Sequence, residues 1–140
     1  MERQNIENLI EAIQSTGIIH RTEVSIPLTL SCKILLPVPW QEKSFKDLLE
    51  INLPKSIKQL WDKTSGLRLF EDVTYSQWGF ILWAPNQVIK EQQQRIAQRR
   101  EDFRTGDLII GEFLGDSELV ILRCDSTAPD LEKVMIALPL

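Results

Sequence analysis

Apolar residues near the start of the chain recur at the spacing of one helical face. They lie three, four and seven positions apart, at Ile6, Leu9, Ile10 and Ile13. This spacing predicts an amphipathic helix over Met1–Gln14.

A strand-forming segment follows this helix. Val24–Ile26 and Leu28–Leu36 are rich in β-branched and aliphatic residues, and Pro27 separates them. Because proline cannot donate to a sheet ladder, the pattern predicts either two short strands or one strand with an edge break. Pro37 and Pro39 then mark a loop.

Two short helices are predicted in the middle of the chain. Ser44, followed three residues later by Asp47, fits a helix start and opens Phe45–Glu50. Pro54 suits the first turn of the second helix, and Gly66 suits its left-handed end. The expected buried stripe of this helix consists of Ile57, Leu60, Trp61 and Thr64.

The second half of the chain is mostly strand-like. One polar helix, Gln87–Asp102, interrupts it, and we expect this helix to lie on the surface because Val88 and Ile96 form only a thin apolar stripe. The predicted strands are Phe80–Trp83, Leu108–Phe113, Leu119–Cys124 and Val134–Leu138. The order of elements predicts an α+β fold with a largely antiparallel sheet and helices packed against it.

Chain length bears on the number of domains, and the distribution of charge bears on the class of partner. A chain of 140 residues fits one domain, 1–140. Its net charge of −4 is concentrated in Gly106–Leu140, where seven acidic residues face two basic ones. Such a field repels nucleic acid phosphates and attracts basic protein surfaces. We therefore expect a protein partner and no nucleic acid.

The location is expected to be cytoplasmic. No stretch approaches the roughly 20 apolar residues of a membrane-spanning helix, and the glutamates of Met1–Gln14 do not fit a signal peptide. Cys32 and Cys124 lie far apart without a CxxC pattern, so both are expected to be buried thiols.

Acidic residues around a predicted hairpin turn are the clearest candidates for chemistry. Glu112, Asp116 and Glu118 flank Gly115. They could form the turn, contact a protein, or act as paired catalytic carboxylates or cation ligands. His20 is the only histidine and no catalytic motif surrounds it. We expect no enzyme, cofactor or metal site.

Tryptophans offer candidate contact residues. Trp61 fits a buried helix stripe, whereas Trp78 and Trp83 bracket a strand five positions apart. Side chains five apart point to opposite faces of a regular strand, so one should be core and the other outward. An outward aromatic ring is a typical anchor at a protein interface. Trp40, in its proline-flanked loop, is a similar candidate.

The motifs together resemble the SUKH superfamily, the Smi/Knr-type domain. A leucine-proline helix start at Pro54 leads to Trp61 and Gly66, and Gly79–Leu82 is similar to the strand that follows that helix in the family. Ile109–Ile121, with its glycine-aspartate turn, is similar to the family's hairpin.

The resemblance covers residues 44–138 and implies a domain that acts through protein contacts. Bacterial members are immunity proteins that neutralise toxins, often nucleases, of polymorphic toxin systems; eukaryotic members are regulators. Residues 1–43 would form an added helix and strand pair. The family's usual C-terminal helix has no counterpart after Ala137–Leu140.

Three functions follow as expectations. The first is an immunity protein whose acidic residues Glu112, Asp116, Glu118 and Asp125 meet a basic toxin domain, with Trp78 or Trp83 as an aromatic anchor. The second is a regulatory or scaffold module. The third is a small carboxylate-dependent hydrolase.

Overall fold

In the computed structural model, the described residues form seven strands of one antiparallel sheet. The structure describes residues 8–13, 15, 18–21, 28–75, 77–99, 104, 106–115 and 118–137. The strands are β1 (Ile18–Arg21), β2 (Leu28–Ile34), β3 (Leu67–Asp72), β4 (Phe80–Leu82), β5 (Asp107–Phe113), β6 (Leu119–Arg123) and β7 (Val134–Ala137). The helices are α1 (residues 8–13), α2 (Glu42–Leu49), α3 (Lys55–Lys63) and α4 (Pro85–Arg99).

Each strand pairs with the next strand along the chain, so the sheet is a meander in the order β1 to β7. Helices α2 and α3 interrupt it between β2 and β3, and α4 lies between β4 and β5. The predicted α+β class with an antiparallel sheet is confirmed. No helix among the described residues is long and apolar enough to cross a membrane.

The main core lies between the helices and strands β5 and β6. Trp61 of α3 is only 2% exposed, and its ring stacks on Phe45 of α2 with centroids 5.2 Å apart. Its indole Nε1 donates a hydrogen bond to the carbonyl oxygen of Trp83 at 3.1 Å. The predicted core position of Trp61 is confirmed.

The start of α2 differs from the prediction. The helix begins at Glu42 after Gln41, and Ser44 lies inside it, where its backbone N–H donates to Gln41 O at 3.1 Å. The predicted cap at Ser44 is therefore wrong. A left-handed Glu50, with φ of 57°, ends the helix.

The end of α3 also differs. Thr64 is extended and follows the last helical residue, Lys63, so Gly66 is not the left-handed cap that was predicted. Gly66 instead permits a close approach between chain segments, because a Cβ there would lie 2.7 Å from Leu82 O.

Helix α4 is more deeply packed than its polar sequence indicates. Val88, Ile89 and Gln92 are buried. The Gln92 amide donates to Asp107 O and accepts from the Ile109 N–H, both at 2.8 Å. The expected apolar stripe therefore missed Ile89 and Gln92, and the side chain of its second member, Ile96, lies outside the described residues.

Two strands were not predicted. Strand β1 pairs with β2, and β3 pairs with β2 and β4. The proposed strand Val24–Ile26 and residues 1–7 of the first helix lie outside the described residues. β3 carries Phe70, which lines a groove on the surface of the domain.

Candidate functional site

An open groove of about 640 Å³ lies where β3 and β5 end and β4 begins. Its lining combines four aromatic rings with glycines and one acidic side chain: Phe70, Gln77, Trp78, Gly79, Phe80, Phe113, Leu114, Gly115 and Glu118. A volume of this size falls within the range of about 300–1,000 Å³ that is typical of binding pockets.

The floor of the groove is a pair of phenylalanines on neighbouring strands. Phe80 of β4 lies opposite Phe113 of β5 in the ladder, and their ring centroids are 5.4 Å apart. Phe70 lies beside Phe80, with centroids 6.4 Å apart. Tilted rings at such distances attract one another, so the aromatic floor is a preformed surface.

A bulge in β3 places Phe70 at the groove. Leu69 and Phe70 together oppose the single residue Cys32 of β2. Phe70 has φ of 54°, a left-handed conformation that bulky residues rarely adopt. Its N–H donates to the Cys32 Sγ at 3.4 Å, and its ring is 44% exposed. Strain of this kind concentrates at functional sites.

Trp78 forms the outer wall of the groove. Its ring is 62% exposed. The loop that carries it is held at its base by Asp72, whose N–H donates to Trp78 O at 3.1 Å and whose Oδ1 accepts from the N–H groups of Thr74 and Tyr75. A large apolar ring is thus displayed to solvent by a hydrogen-bonded loop.

Glycines bring this loop against the β5–β6 hairpin. A Cβ at Gly115 would lie 2.6 Å from Gln77 O, and one at Gly79 would lie 2.6 Å from Phe70 O. Leu114 N donates to Gly79 O at 2.9 Å across the same contact. A side chain at Gly115 would push the two loops apart, and one at Gly79 would push its loop away from β3.

Glu118 supplies the negative charge of the groove. Its backbone carbonyl accepts from Phe113 N at 2.7 Å. Within the described part of the chain its carboxylate has no hydrogen bond or ion pair, although the side chain is half-buried. Asp116, its predicted neighbour at the turn, lies outside the described residues.

The predicted contact residues therefore lie in different parts of the fold. Trp78 and Glu118 line one groove, whereas Trp83 is 3% exposed and belongs to the core. The expectation that one of these two tryptophans is core and the other outward is confirmed, and Trp83 as a surface anchor is corrected.

Glu112 lies away from the groove. It neighbours Phe113 on β5, and adjacent strand residues point to opposite faces. Its Oε2 is 3.9 Å from a terminal guanidinium nitrogen of Arg95 on α4. Arg95 also pairs with Glu91 at 2.8 Å and lies 5.7 Å from the ring centroid of Trp83.

Asp125 lies at the other end of the hairpin, in the loop after β6. Its Oδ1 accepts from the N–H and the hydroxyl of Thr127 at 2.9 and 2.7 Å. These hydrogen bonds lower the pKa of the Asp125 carboxyl, because they favour its charged form. Asp125 therefore organises its own turn.

Other acids of the last quarter are also paired. Arg123 is buried and binds Asp107 at 3.0 Å and Asp130 at 2.6 Å, so the pKa of its guanidinium is raised, chiefly by the hydrogen bond to Asp107. Glu132 accepts from the Ser56 hydroxyl at 2.9 Å. Asp107, Asp130 and Glu132 are therefore engaged in separate contacts within the fold.

Cys124 and the described metal-binding residue types are the groups that bear on covalent and metal chemistry. Burial raises the pKa of the Cys124 thiol to about 12, so it is a poor nucleophile at neutral pH. Among the described residues, no three histidine, cysteine, aspartate or glutamate side chains converge as a metal site.

Three groove residues were missed by sequence reasoning: Phe70, Phe80 and Phe113. Phe80 begins one predicted strand directly after Gly79, and Phe113 ends another two residues before Gly115, so glycines near strand ends were a usable signal. Phe70 has no such signal, because its position depends on the bulge in β3.

Comparison of the chain with protein-family models, curated proteins and solved structures found no match.

Proposed function

We propose that this chain is a non-enzymatic protein-binding domain that acts as an immunity protein against a nuclease-type toxin. The observation that carries this proposal is an open groove lined by the exposed Trp78 and by Glu118, whose carboxylate has no partner among the residues that the structure describes. Tryptophan is enriched among the few residues that carry most of the binding energy at protein interfaces.

The proposed mechanism is occlusion. A toxin that cleaves nucleic acid needs a basic face for phosphate, and a protein seated on that face blocks the substrate. The chain has a net charge of −4, which would speed encounter with such a face. Desolvated contacts at the groove would then set the lifetime of the complex.

The resemblance of residues 44–138 to the SUKH superfamily supports the same function. Its motif residues occupy structural positions here: Trp61 lies in the core, and Gly79 and Gly115 shape the groove. Toxins of this class act inside cells, so the proposal places the protein in the cytoplasm.

The experiment is capture followed by rescue. Tagged chain is incubated with a lysate of its source, and captured proteins are identified by mass spectrometry. Each is then expressed alone and together with this chain. A captured protein that arrests growth alone, and is harmless when co-expressed, supports the proposal.

Two results would count against it. Captured proteins that are harmless when expressed alone would favour the regulatory or scaffold module. Growth arrest that co-expression does not relieve would show that binding does not neutralise the toxin.

Two variants locate the interface in the same capture experiment. Glu112→Gln serves as a matched control for Glu118→Gln, since both remove one charge and only Glu118 lines the groove.

A further inference from the structure

Arg95 of α4 contacts both an aromatic ring and carboxylates of the same chain. Arg95 lies 5.7 Å from the ring centroid of Trp83, and carboxylates of Glu91 and Glu112 lie 2.8 and 3.9 Å from its guanidinium nitrogens. A guanidinium suits this arrangement because its plane stacks on an aromatic face while its N–H groups reach a carboxylate.

The groove offers the same two components without an arginine. Trp78 presents an exposed indole, and Glu118 presents a half-buried carboxylate that has no partner in the described part of the chain. A partly buried carboxylate without a partner is costly, so a cation that pairs with it is stabilised. Phe80 and Phe113 provide an apolar floor for the methylene stem.

We infer that the groove binds an arginine side chain presented by the protein partner. The inference rests on the proposed protein-binding function and names the chemistry of its anchor. Arginine fits better than lysine because the site combines an open aromatic face with a carboxylate, and a compact ammonium cannot stack and pair in the same way. The groove volume of about 640 Å³ leaves room for the residues flanking the arginine.

The inference is tested with N-acetyl-arginine methylamide, titrated into the uniformly ¹⁵N-labelled chain. We expect saturable shifts at the Trp78 indole N–H and at the backbone amides of Gly79 and Leu114. The citrulline analogue has the same shape without the charge, and it should bind about tenfold more weakly, because a charge-assisted hydrogen bond is lost.

Variants locate the site. Glu118→Gln should weaken binding of the arginine probe about tenfold, for the same physical reason. Glu112→Gln removes an equal charge outside the groove and should leave binding within about twofold. Trp78→Ala should abolish the saturable shifts. The spectrum of each variant shows directly whether it has folded.

Several outcomes would overturn the inference: equal binding of arginine and citrulline, shifts that map elsewhere, or no saturable shifts. Groove shifts on dilution without probe would show that a second copy of this chain occupies it. Capture of a toxin that survives Trp78→Ala and Glu118→Gln would reject the inference and retain the proposed function. Specific arginine binding without rescue of any toxin would retain the inference and reject the proposed function.

Discussion

A single side-chain amide, that of Gln92, completes the hydrogen bonding of β5 where β4 does not reach. β4 pairs only with Gly111–Phe113, which leaves the start of β5 without a neighbour on that side. Gln92 is 5% exposed and bonds both Asp107 O and Ile109 N. It therefore acts as a local substitute for a strand.

Replacing Gln92 tests this role. Gln92→Leu keeps a similar size but leaves a buried N–H and a buried carbonyl unpaired, at about 1–3 kcal/mol for each group. We expect a loss of about 2–4 kcal/mol in the free energy of unfolding, measured in urea. Gln93→Leu is the matched control, since Gln93 is exposed. Equal effects would contradict the role.

Asp125 gives a prediction about pH. Its folded-state pKa lies below the ordinary value of 3.8, so the Thr127 hydrogen bonds contribute stability that is fully present above pH 3.8. That contribution declines as pH falls through the lower folded-state pKa. Thr127→Val should therefore be less stable than the wild type well above pH 3.8, and the difference should shrink below it.

Carboxyl carbon NMR measures the pKa of Asp125 directly in the wild type and in Thr127→Val. The variant should titrate closer to pH 3.8, because only the backbone N–H of Thr127 would remain as a donor. Ser126→Ala removes a hydroxyl from the same loop and should change nothing. A pKa unaffected by Thr127→Val would refute the assignment.

At the scale of elements, sequence patterns located the helices and several strands but not the details that form the groove. α3 and the hairpin of β5 and β6 follow their apolar periodicity. β3 was missed because only Leu67, Arg68 and Leu69 alternate between apolar and polar, and Phe70, Glu71 and Asp72 then break the pattern expected of a strand. Its bulge depends on pairing with β2, which no local pattern encodes.

The predictions of helix ends failed for a related reason. Ser44 and Gly66 have the right residue types for caps, yet other residues, Gln41 and Thr64, occupy those positions. Tertiary contacts decide between such candidates: Gly66 is needed for its close approach to Leu82 O. Local propensity describes what a residue permits, and packing selects what it does.

Gly111 is the element-scale test of strand pairing. A Cβ at this position would overlap the carbonyl oxygen of Ile81 on β4 and lie 3.1 Å from the Cα of Leu82. Gly111→Ala should cost about 3 kcal/mol in the free energy of unfolding, because two backbones must separate. Val134→Ala, on the exposed face of β7, should cost under about 1 kcal/mol. Similar losses would contradict the close approach.

At the scale of the whole molecule, the core and the groove use aromatic residues differently. Trp61 and Trp83 are buried with the helices, whereas Phe70, near the end of β3, and Trp78, just before β4, are exposed. The sequence named Trp78 and Trp83 as candidate contact residues but did not decide which of them is exposed, because exposure depends on which loops meet. The acidic residues are also divided. Arg123 pairs with Asp107, and Arg95 pairs with Glu112, which the sequence had named as a contact residue.

This division predicts that stability and binding can be changed separately. Trp61→Ala should cost about 3–5 kcal/mol in the free energy of unfolding, because a cavity replaces a buried ring. Trp78→Ala removes a ring that is 62% exposed and should change stability by less than about 0.5 kcal/mol. Both predictions are checked by measuring urea unfolding and capture of the partner for the Trp61→Ala and Trp78→Ala variants. A Trp78→Ala protein that unfolds early would assign the ring to the core. One that is stable and still captures the partner would place the interface elsewhere on the molecule.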